Sequence, residues 1–303
     1  MLASGSFSLD TQRAAWYAST KPKWRVRMRN TSKIPISDMR QVCSLGGGIA
    51  SSALFLMSLH GEIEYPCEAG IFADTGWETQ KTWETIGFLT EYAKQFGVPV
   101  YVAKYRNIRE DTLNVNFKDT DMPLYVERPD GSLSKLGRHC TDHYKKRPIR
   151  RLLRSHFEAT QKRPVAVWLG YSTNEALRMK DAENKYEIPR YPLIEKRYNR
   201  QDCVNWLRKN DFPEFEKSAC VGCPFRGDAY WKLLTDAELA DAADFEKQVE
   251  NRGMKRQQHK PIKALRLHRS LTPINERPFD RQDQMTIDSM DDDEMCDGGS
   301  CFT

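Results

Sequence analysis

Apolar residues along the first half of the chain alternate between short runs and longer amphipathic stretches. Four runs have the length of buried strands, and they lie at residues 41–45, 68–74, 98–103 and 164–170. The stretches at 49–59 and 79–96 place apolar residues three and four positions apart, as on one face of a helix. Strands that alternate with helices of this length predict parallel βαβ units, with a binding site at the carboxyl ends of the strands.

The rest of the chain divides by composition into segments of different character. Residues 105–137 break the rhythm with Asn, Asp, Pro and Gly, which predicts an insertion that can form a hairpin. Further helices are expected at 141–157, 199–210 and 235–248. The expected divisions are a basic N-terminal extension over 1–37, a main domain over 38–226, a helical C-terminal region over 227–275 and a flexible acidic tail over 276–303.

Composition and charge exclude several classes of protein. The chain has 303 residues, with 47 Lys and Arg, 42 Asp and Glu, and a net charge of +5. It contains no run of about 20 apolar residues, so no membrane partner is expected. Its first residues lack the basic start and apolar run of a secretory signal, so we expect a cytoplasmic protein. In that compartment the eight cysteines are better suited to metal binding, thiol chemistry or core packing than to disulfides.

The positive charge is unevenly distributed along the chain. Residues 276–303 hold nine acidic and two basic residues, a net charge of −7, which leaves +12 for residues 1–275. A solvated acidic tail on a basic enzyme explains this pattern, and so does a basic surface for nucleotide phosphates or nucleic acid. Charge alone leaves both interpretations open.

Two loops at predicted strand ends carry candidate nucleotide-binding residues. In the first loop, glycines let the backbone approach a phosphate, and serine hydroxyls and helix amides donate to it. Its candidates are Ser44, Gly46, Gly47, Gly48, Ser51 and Ser52. The second loop follows the second strand and contributes Asp74, Thr75 and Gly76. Its aspartate suits a metal, a ribose or a hydroxyl, or it caps the next helix. Neither loop has the spacing of a dinucleotide-binding or Walker A motif.

A series of stretches in the same order resembles the PP-loop ATP pyrophosphatase and phosphoadenosine phosphosulfate (PAPS) reductase superfamily. They lie at 44–52, 72–78, 139–149, 170–178, 191–194 and 220–224, within roughly residues 40–226. The resemblance implies an α/β, Rossmann-like (HUP-type) parallel sheet with flanking helices. It also implies an adenine nucleotide ligand (PAPS, adenylyl sulfate or ATP), thiol-dependent reduction of a sulfonucleotide, and phosphate or sulfate binding by Lys145, Arg147 and Arg178.

The chain departs from the family pattern at several positions. Gly46 and Ala50 stand where the pyrophosphatases place Ser and Asp. The aspartate of metal-assisted ATP cleavage is therefore missing, as it is in sulfonucleotide reductases. Only Cys140 stands where iron–sulfur reductases carry two cysteines, and the chain ends in Cys-Phe-Thr instead of Glu-Cys-Gly-x-His. The missing aspartate favours reductase-like chemistry over ATP cleavage, whereas the cysteines depart from the reductase pattern.

The cysteines carry the strongest metal-ligand signal. Cys220 and Cys223 are two residues apart within Cys-x-x-Cys, a spacing at which two thiolates chelate one metal or one edge of a cluster. The resemblance implies Cys140 as a third ligand. Cys203, on the preceding predicted helix, is either a fourth ligand or a buried core residue. These ligands suit a [4Fe–4S] cluster, with structural zinc or free redox thiols as alternatives.

The two tail cysteines complete the predicted mechanism. By resemblance, Cys301 attacks the sulfur, Cys296 is its resolving thiol, and a thiol reductant protein regenerates them. Alternatively, both are bystander thiols, or they form a local disulfide or a metal clip. Two other functions stay open: an ATP-dependent sulfurtransferase that thiolates tRNA or DNA, and a non-catalytic nucleotide-sensing module with structural zinc.

Overall fold

A computed structural model of the chain describes residues 32–114, 121–255 and 261–277. Along the chain the strands are β1 (Arg40–Leu45), β2 (Ala69–Asp74), β3 (Val100–Lys104), β4 (Tyr125–Glu127), β5 (Leu133–Lys135), β6 (Val165–Leu169), β7 (Glu187–Arg190) and β8 (Ala264–Arg266). The α-helices are α1 (Ile49–Leu59), α2 (Gln80–Lys94), α3 (Ile108–Leu113), α4 (Arg147–Ser155), α5 (Pro192–Glu195), α6 (Arg200–Lys209), α7 (Asp228–Trp231) and α8 (Asp236–Lys255). Most of the predicted N-terminal extension and acidic tail lies outside the described residues.

Five parallel strands form the central sheet, in the order β3-β2-β1-β6-β7. This confirms the predicted α/β class, with a parallel sheet and flanking helices. From β1 the chain moves outward through β2 and β3 on one side, and later through β6 and β7 on the other. Ligands of open α/β sheets bind where the strand order reverses in this way, outside the carboxyl ends of the strands. Here that place lies between β1 and β6.

Apolar side chains cover both faces of the sheet, because successive residues of a strand point to opposite faces. Cys43 and Leu45 of β1 belong to a buried cluster that includes residues of α1, α2 and α6. Val42 of the same strand is buried on the other face with Ile149 and Leu153 of α4. The alternation of side chains along β1 therefore corresponds to α1, α2 and α6 on one face of the sheet and α4 on the other.

A second core lies beside the sheet and joins the insertion to the C-terminal region. The predicted hairpin is present: β4 pairs antiparallel with β5, and also with β8, a strand that the sequence does not predict. Val126 of β4, Phe245 of α8, Leu265 of β8 and Trp77 are buried in one cluster. The insertion is thus packed against residues more than a hundred positions later. Within the described ranges, no helix is long and apolar enough to cross a membrane.

His268 holds the last described segment against the second core. Its imidazole is buried, with Nδ1 accepting a hydrogen bond from the Ser270 backbone N–H at 3.0 Å. Nε2 lies 2.7 Å from an Asp228 carboxylate oxygen. Burial lowers the pKa of His268 and nearby Arg277 lowers it further, although Asp228 opposes both effects. The neutral imidazole is therefore the form that the fold holds.

We expect the protein to lose stability as the pH falls below the ordinary histidine pKa of about 6.5. The folded-state pKa of His268 lies below the unfolded value, so the unfolded chain binds more protons in this range and is favoured by acid. The variant His268→Asn keeps an acceptor for the Ser270 N–H but does not titrate. Thermal unfolding should show a smaller drop in Tm for the variant than for the wild type between about pH 7.5 and 5.5. Equal drops would contradict the assignment.

Candidate active site

A cavity opens at the carboxyl ends of β1, β2 and β6, at the point where the strand order reverses. Its volume is about 320 Å³, within the roughly 300–1,000 Å³ typical of small-molecule sites. We call this cavity the first chamber. Its lining includes Ser44, Leu45, Gly46, Gly48, Ile49, Ala50, Ser51, Phe72, Ala73, Lys145, Ile149, Leu169, Gly170, Tyr171, Ser172, Asn174, Glu175, Leu177, Arg178, Arg200, Lys217 and Ser218.

The first loop forms one wall of the first chamber and is held by its own hydrogen bonds. The Gly46 N–H donates to Ser51 Oγ at 3.2 Å, and the same hydroxyl donates to the Gly48 carbonyl at 3.1 Å. The Ser218 hydroxyl, from the segment before Cys220, donates to the Gly46 carbonyl. Of the predicted loop residues, Ser44, Gly46, Gly48 and Ser51 line the chamber, whereas Gly47 and the fully buried Ser52 do not.

Asp74, in the second loop, has its carboxylate occupied by other parts of the protein. One oxygen accepts the Gly76 N–H at 2.6 Å, and the other lies 3.0 Å from Lys104 Nζ. Gly76 has a φ of +81°, and a Cβ there would lie 2.7 Å from Asn107 Cα. Asp74 therefore closes a turn at the strand end, and neither it nor Gly76 lines the first chamber.

Thr75, the remaining candidate in the second loop, faces the cysteines. Its hydroxyl donates to Glu78 at 2.7 Å and lies 3.2 Å from Cys220 Sγ. The backbone of the two segments is joined as well, because the Val221 N–H donates to the Trp77 carbonyl at 2.8 Å. The second loop thus supports the Cys-x-x-Cys segment instead of lining the first chamber.

Lys145 lies between the first chamber and three cysteines. It lines the chamber and interacts electrostatically with Glu78, Cys220, Cys140 and Cys223. Burial lowers the pKa of Lys145, but the neighbouring acid and thiols outweigh it and raise the pKa, so this side chain is a cation. Burial raises the pKa of both Cys220 and Cys223, so these two side chains are protonated thiols at neutral pH.

The turn that carries Cys140 and Lys145 has unusual geometry. Residues Thr141–Lys146 form a π-helical turn that runs directly into α4. In such a turn the hydrogen bonds connect residues five apart, which is the separation of Cys140 and Lys145. Single π-helical turns occur frequently at functional sites. Here the turn brings a thiol and an ammonium group to the same site.

Arg226 fixes the backbone of the Cys-x-x-Cys segment from inside the protein. Its guanidinium donates to the carbonyls of Cys220 at 2.9 Å, Tyr230 at 3.1 Å and Ala219 at 3.2 Å. It is 6% exposed and forms no ion pair with a carboxylate among the described residues. Burial lowers the pKa of Arg226, and the largest opposing effects come from Cys223 and Cys220. A buried positive charge therefore backs the two thiols.

Cys203 lies apart from the other three candidate ligands, and the structure supports its alternative role as a core residue. Cys203 is fully buried in the hydrophobic cluster with α1, and burial raises its pKa to about 12. In the part of the chain that the structure describes, no three His, Cys, Asp or Glu side chains are grouped as ligands of one metal ion. Cys296 and Cys301 lie outside the described residues. We therefore derive no step through a metal or cluster.

The three predicted phosphate-binding cations have different surroundings. Lys145 and Arg178 line the first chamber, and the Arg178 guanidinium pairs with Glu175 and lies 4.5 Å from the Tyr171 ring centroid. Arg147 does not line the chamber; it is exposed, and its Nε donates to Asp142 at 2.8 Å.

Sequence reasoning missed two other cations of the first chamber, Arg200 and Lys217. Arg200 begins α6 beside Asn174, whose side-chain oxygen accepts the Arg200 N–H at 3.1 Å. Lys217 stands three residues before Cys220. Neither residue belongs to a periodic basic pattern. Only its position next to a recognised motif could have marked either one as a candidate.

A second chamber adjoins the first and has a volume of about 420 Å³. Both chambers are lined by Ser44, Ile149, Leu169, Tyr171, Leu177 and Arg178. The second chamber extends over β6 and β7, where it is also lined by Thr141, Lys146, Arg150, Val167, Lys180, Asp181, Ala182, Glu183, Glu187, Pro189 and Tyr191. Thr141 directly follows Cys140, so the second chamber also reaches the turn that carries this thiol.

Comparison with known proteins gives a structural likeness. No family model and no curated protein matches the chain. Among solved structures, the chain is similar to the phosphate complex of phosphoadenylyl-sulfate (PAPS) reductase from Candida auris. The TM-score is 0.38 and the identity 15%, over 70% of this chain and 91% of that chain.

Gly170, which directly follows β6, packs closely against the first loop because it has no side chain. A Cβ at this position would lie 2.7 Å from Ser51 Cα and 2.8 Å from Ser51 N, which are backbone atoms that cannot rotate away. We expect Gly170→Ala to destabilise the protein by about 1–3 kcal/mol and to weaken nucleotide binding by displacing the first loop.

The matched control is Gly87→Ala, in the middle of α2, where a Cβ meets nothing within 4 Å. Alanine is the better helix former, so this change should stabilise the protein by about 0.5–1 kcal/mol. Urea unfolding and nucleotide titration of both variants measure the effects. Unchanged nucleotide affinity in Gly170→Ala would show that the ligand does not bind at the first loop.

Proposed function

We propose that this protein binds an adenine nucleotide in the first chamber and carries out thiol-dependent sulfur chemistry on it, as in the reduction of a sulfonucleotide. The observation that carries the proposal is the position of Lys145. It lines the first chamber and also interacts with Cys140, Cys220 and Cys223. A group held by this ammonium therefore lies next to thiols.

The charge of the first chamber supports an anionic ligand. Its lining holds four cations and one carboxylate: Lys145, Arg178, Arg200 and Lys217 against Glu175. The α1 N-terminus, preceded by the glycines of the first loop, adds amides suited to a phosphate. Phe72 and Ala73, at the end of β2, provide an apolar wall for a base. Phosphates and base thus each have suitable surroundings.

The proposed reaction begins when a cysteine thiolate attacks the sulfonyl sulfur of PAPS or adenylyl sulfate. The bond from that sulfur to the bridging phosphate oxygen breaks, the nucleoside phosphate leaves, and the cysteine becomes S-sulfocysteine. A second thiolate attacks the S-sulfocysteine Sγ, which releases sulfite and leaves a disulfide that a thiol reductant protein reduces. The resemblance implies the first role for Cys301, and we assign the second to Cys296. In the proposal, Lys145 stabilises the negative charge that grows on the leaving phosphate.

The predicted metal site is tested by measuring the metal and sulfide content of the purified protein. Iron with an equal amount of acid-labile sulfide in anaerobically purified protein would support the [4Fe–4S] cluster, and zinc would support the alternative. Cys203 is enclosed in the hydrophobic core, so Cys140, Cys220 and Cys223 are the described candidate ligands of either metal.

A second candidate function is nucleotide-dependent transfer of sulfur to another molecule, such as a nucleic acid. The second chamber favours this candidate, because it offers room for an acceptor beside the nucleotide. The lack of an aspartate at Ala50 argues against ATP cleavage by the usual metal-assisted route. Pyrophosphate release from ATP that depends on added tRNA or DNA would favour transfer over reduction.

We expect the purified protein, supplied with a dithiol reductant, to release sulfite from PAPS or adenylyl sulfate. Lys145→Met should lower kcat/KM by about 100-fold or more, equivalent to ~3 kcal/mol of transition-state stabilisation. The matched control is Lys94→Met, because Lys94 is exposed at the end of α2 and pairs with Glu91 there. A sulfite assay reports both variants. The proposal fails if neither sulfonucleotide yields sulfite, or if Lys145→Met is as active as Lys94→Met.

A further inference from the structure

The exposed face of α4 carries a row of arginines that lies outside the first chamber. Arg147, Arg151 and Arg154, which we call the arginine row, are exposed, whereas Ile149 and Leu153 of the same helix are buried against the sheet. With about 3.6 residues per turn, the three arginines fall within about 60° of one another around the helix. The resemblance implies phosphate binding by Arg147, and Arg147 does not line the first chamber, so this role needs another location.

Carboxylates neutralise little of the charge of the arginine row. Within the described ranges, neither Arg151 nor Arg154 pairs with a carboxylate. Arg147 Nε donates to Asp142 at 2.8 Å, and both side chains of this pair are about half exposed. Ion pairs at such positions contribute little stability, so a phosphate can replace Asp142 as the partner of Arg147. The row therefore presents its positive charge to the solvent.

Tyr105, directly after β3, extends the surface of the arginine row. It is 38% exposed, and the Arg151 guanidinium lies 4.2 Å from the centroid of its ring. The Arg106 guanidinium lies 5.7 Å from the same centroid. Hydrogen bonding by Arg151 and then by Arg106 lowers the pKa of Tyr105. The row thus continues across an exposed tyrosine to a further cation.

The two cations that flank Tyr105 along the chain face outward from their ion pairs. Lys104 Nζ lies 3.0 Å from Asp74, and Arg106 Nε lies 3.0 Å from Asp111. The side chains of Asp74 and Asp111 are only 5% and 13% exposed, whereas those of Lys104 and Arg106 are 60% and 35% exposed. The acids lie inside and the cations outside, so this surface attracts anions.

We propose that the arginine row and Tyr105 bind the phosphate backbone of a nucleic acid. The planar donor fork of arginine fits two oxygens of one phosphate. Three arginines along this face of the helix span about 10 Å, which is the length of about three nucleotides at 3.4 Å each. Exposed aromatic rings among cations are typical of sites for single strands, whose bases stack on them. Tyr105 therefore favours a single strand over a duplex.

The arginine row leads toward the candidate active site. It begins two residues after Lys145, which lines the first chamber, and the π-helical turn with Lys145 runs directly into α4. A strand bound along α4 consequently reaches the turn that carries Lys145 and, at its start, Cys140. The inference goes beyond sulfonucleotide reduction, and it gives the second candidate function a surface for its acceptor.

The test measures oligonucleotide binding to the full-length protein by fluorescence anisotropy at several salt concentrations. The probes are labelled oligothymidylate and oligouridylate, with saturating adenosine 3′,5′-bisphosphate present so that their phosphates do not occupy the first chamber. The double variant Arg151→Gln/Arg154→Gln should weaken binding by about tenfold or more. It should also lower the slope of log affinity against log salt by about 1.4, or about 0.7 for each lost phosphate contact.

The matched control is Lys94→Gln/Arg208→Gln, which removes the same charge from α2 and α6 on the other face of the sheet. Both side chains are exposed and pair with a carboxylate. Affinity for the oligonucleotide should stay within about twofold in the control. Equal affinities of the two double variants, or no binding by the wild type, overturn the inference. Bisphosphate binding should be unchanged in both variants, and its absence in the wild type overturns the proposed function instead.

Tyr105→Leu separates stacking from charge, because it removes the ring and keeps every cation. Its affinity for the oligonucleotide should fall by about fivefold or more with an unchanged salt slope. An unchanged affinity, or a slope that falls instead, overturns the role of Tyr105.

Poly-glutamate and a duplex identify the kind of polyanion. Poly-glutamate that binds as tightly as the oligonucleotide, and that is weakened equally by the arginine double variant, overturns the inference in favour of an acidic protein. Tighter binding of the strand than of a duplex with the same number of phosphates supports the inference in full. The reverse supports the arginine row and overturns the role of Tyr105. The stronger of the two probes, thymidylate or uridylate, identifies DNA or RNA as the source of the shared backbone.

Discussion

One cation, Lys145, connects the parts of the candidate site. Burial alone would favour its neutral form, and it stays charged because the Glu78 carboxylate lies near it, together with three cysteines. Those neighbours come from three separate segments: the loop after β2, the π-helical turn before α4, and the Cys-x-x-Cys segment. The ammonium therefore needs the Glu78 carboxylate near it, and the same positive charge lines the first chamber. Without this arrangement the chamber and the cysteines would be two unrelated features.

The fold brings these segments together by two means. The reversal of strand order between β1 and β6 opens the first chamber, and the missing side chain of Gly170 lets β6 approach the first loop. The second core then holds the cysteines. Trp77 accepts the backbone N–H of Val221 and packs so tightly on Gly222 that a Cβ would overlap its ring. Arg226 holds the same segment from inside through three carbonyls. The backbone of the Cys-x-x-Cys segment is consequently held on both sides, by Trp77 and by Arg226.

Hydrophobic periodicity predicted the parallel sheet and its helices, because each buried strand and each amphipathic face is a local pattern. The pairing of β4 with β8 was not predictable, since nothing local marks two three-residue strands that are more than a hundred residues apart. The sequence indicated the first loop, but it did not indicate which of the loop residues line the first chamber. Ser52 is fully buried, whereas Ser51 lines the chamber. Cys203 shows the same limit, because a thiol on a helix suits a core as well as a metal.

The most direct test of the central claim is protection of the cysteines by a nucleotide. Alkylation of the protein with N-ethylmaleimide is followed by mass spectrometry, with and without saturating adenosine 3′,5′-bisphosphate. If Lys145 joins the first chamber to the thiols, the nucleotide should slow alkylation of Cys140, Cys220 and Cys223 by about tenfold or more. The buried Cys203 should stay unreactive in both states. Nucleotide binding that leaves the alkylation rates of these three thiols unchanged would contradict the account.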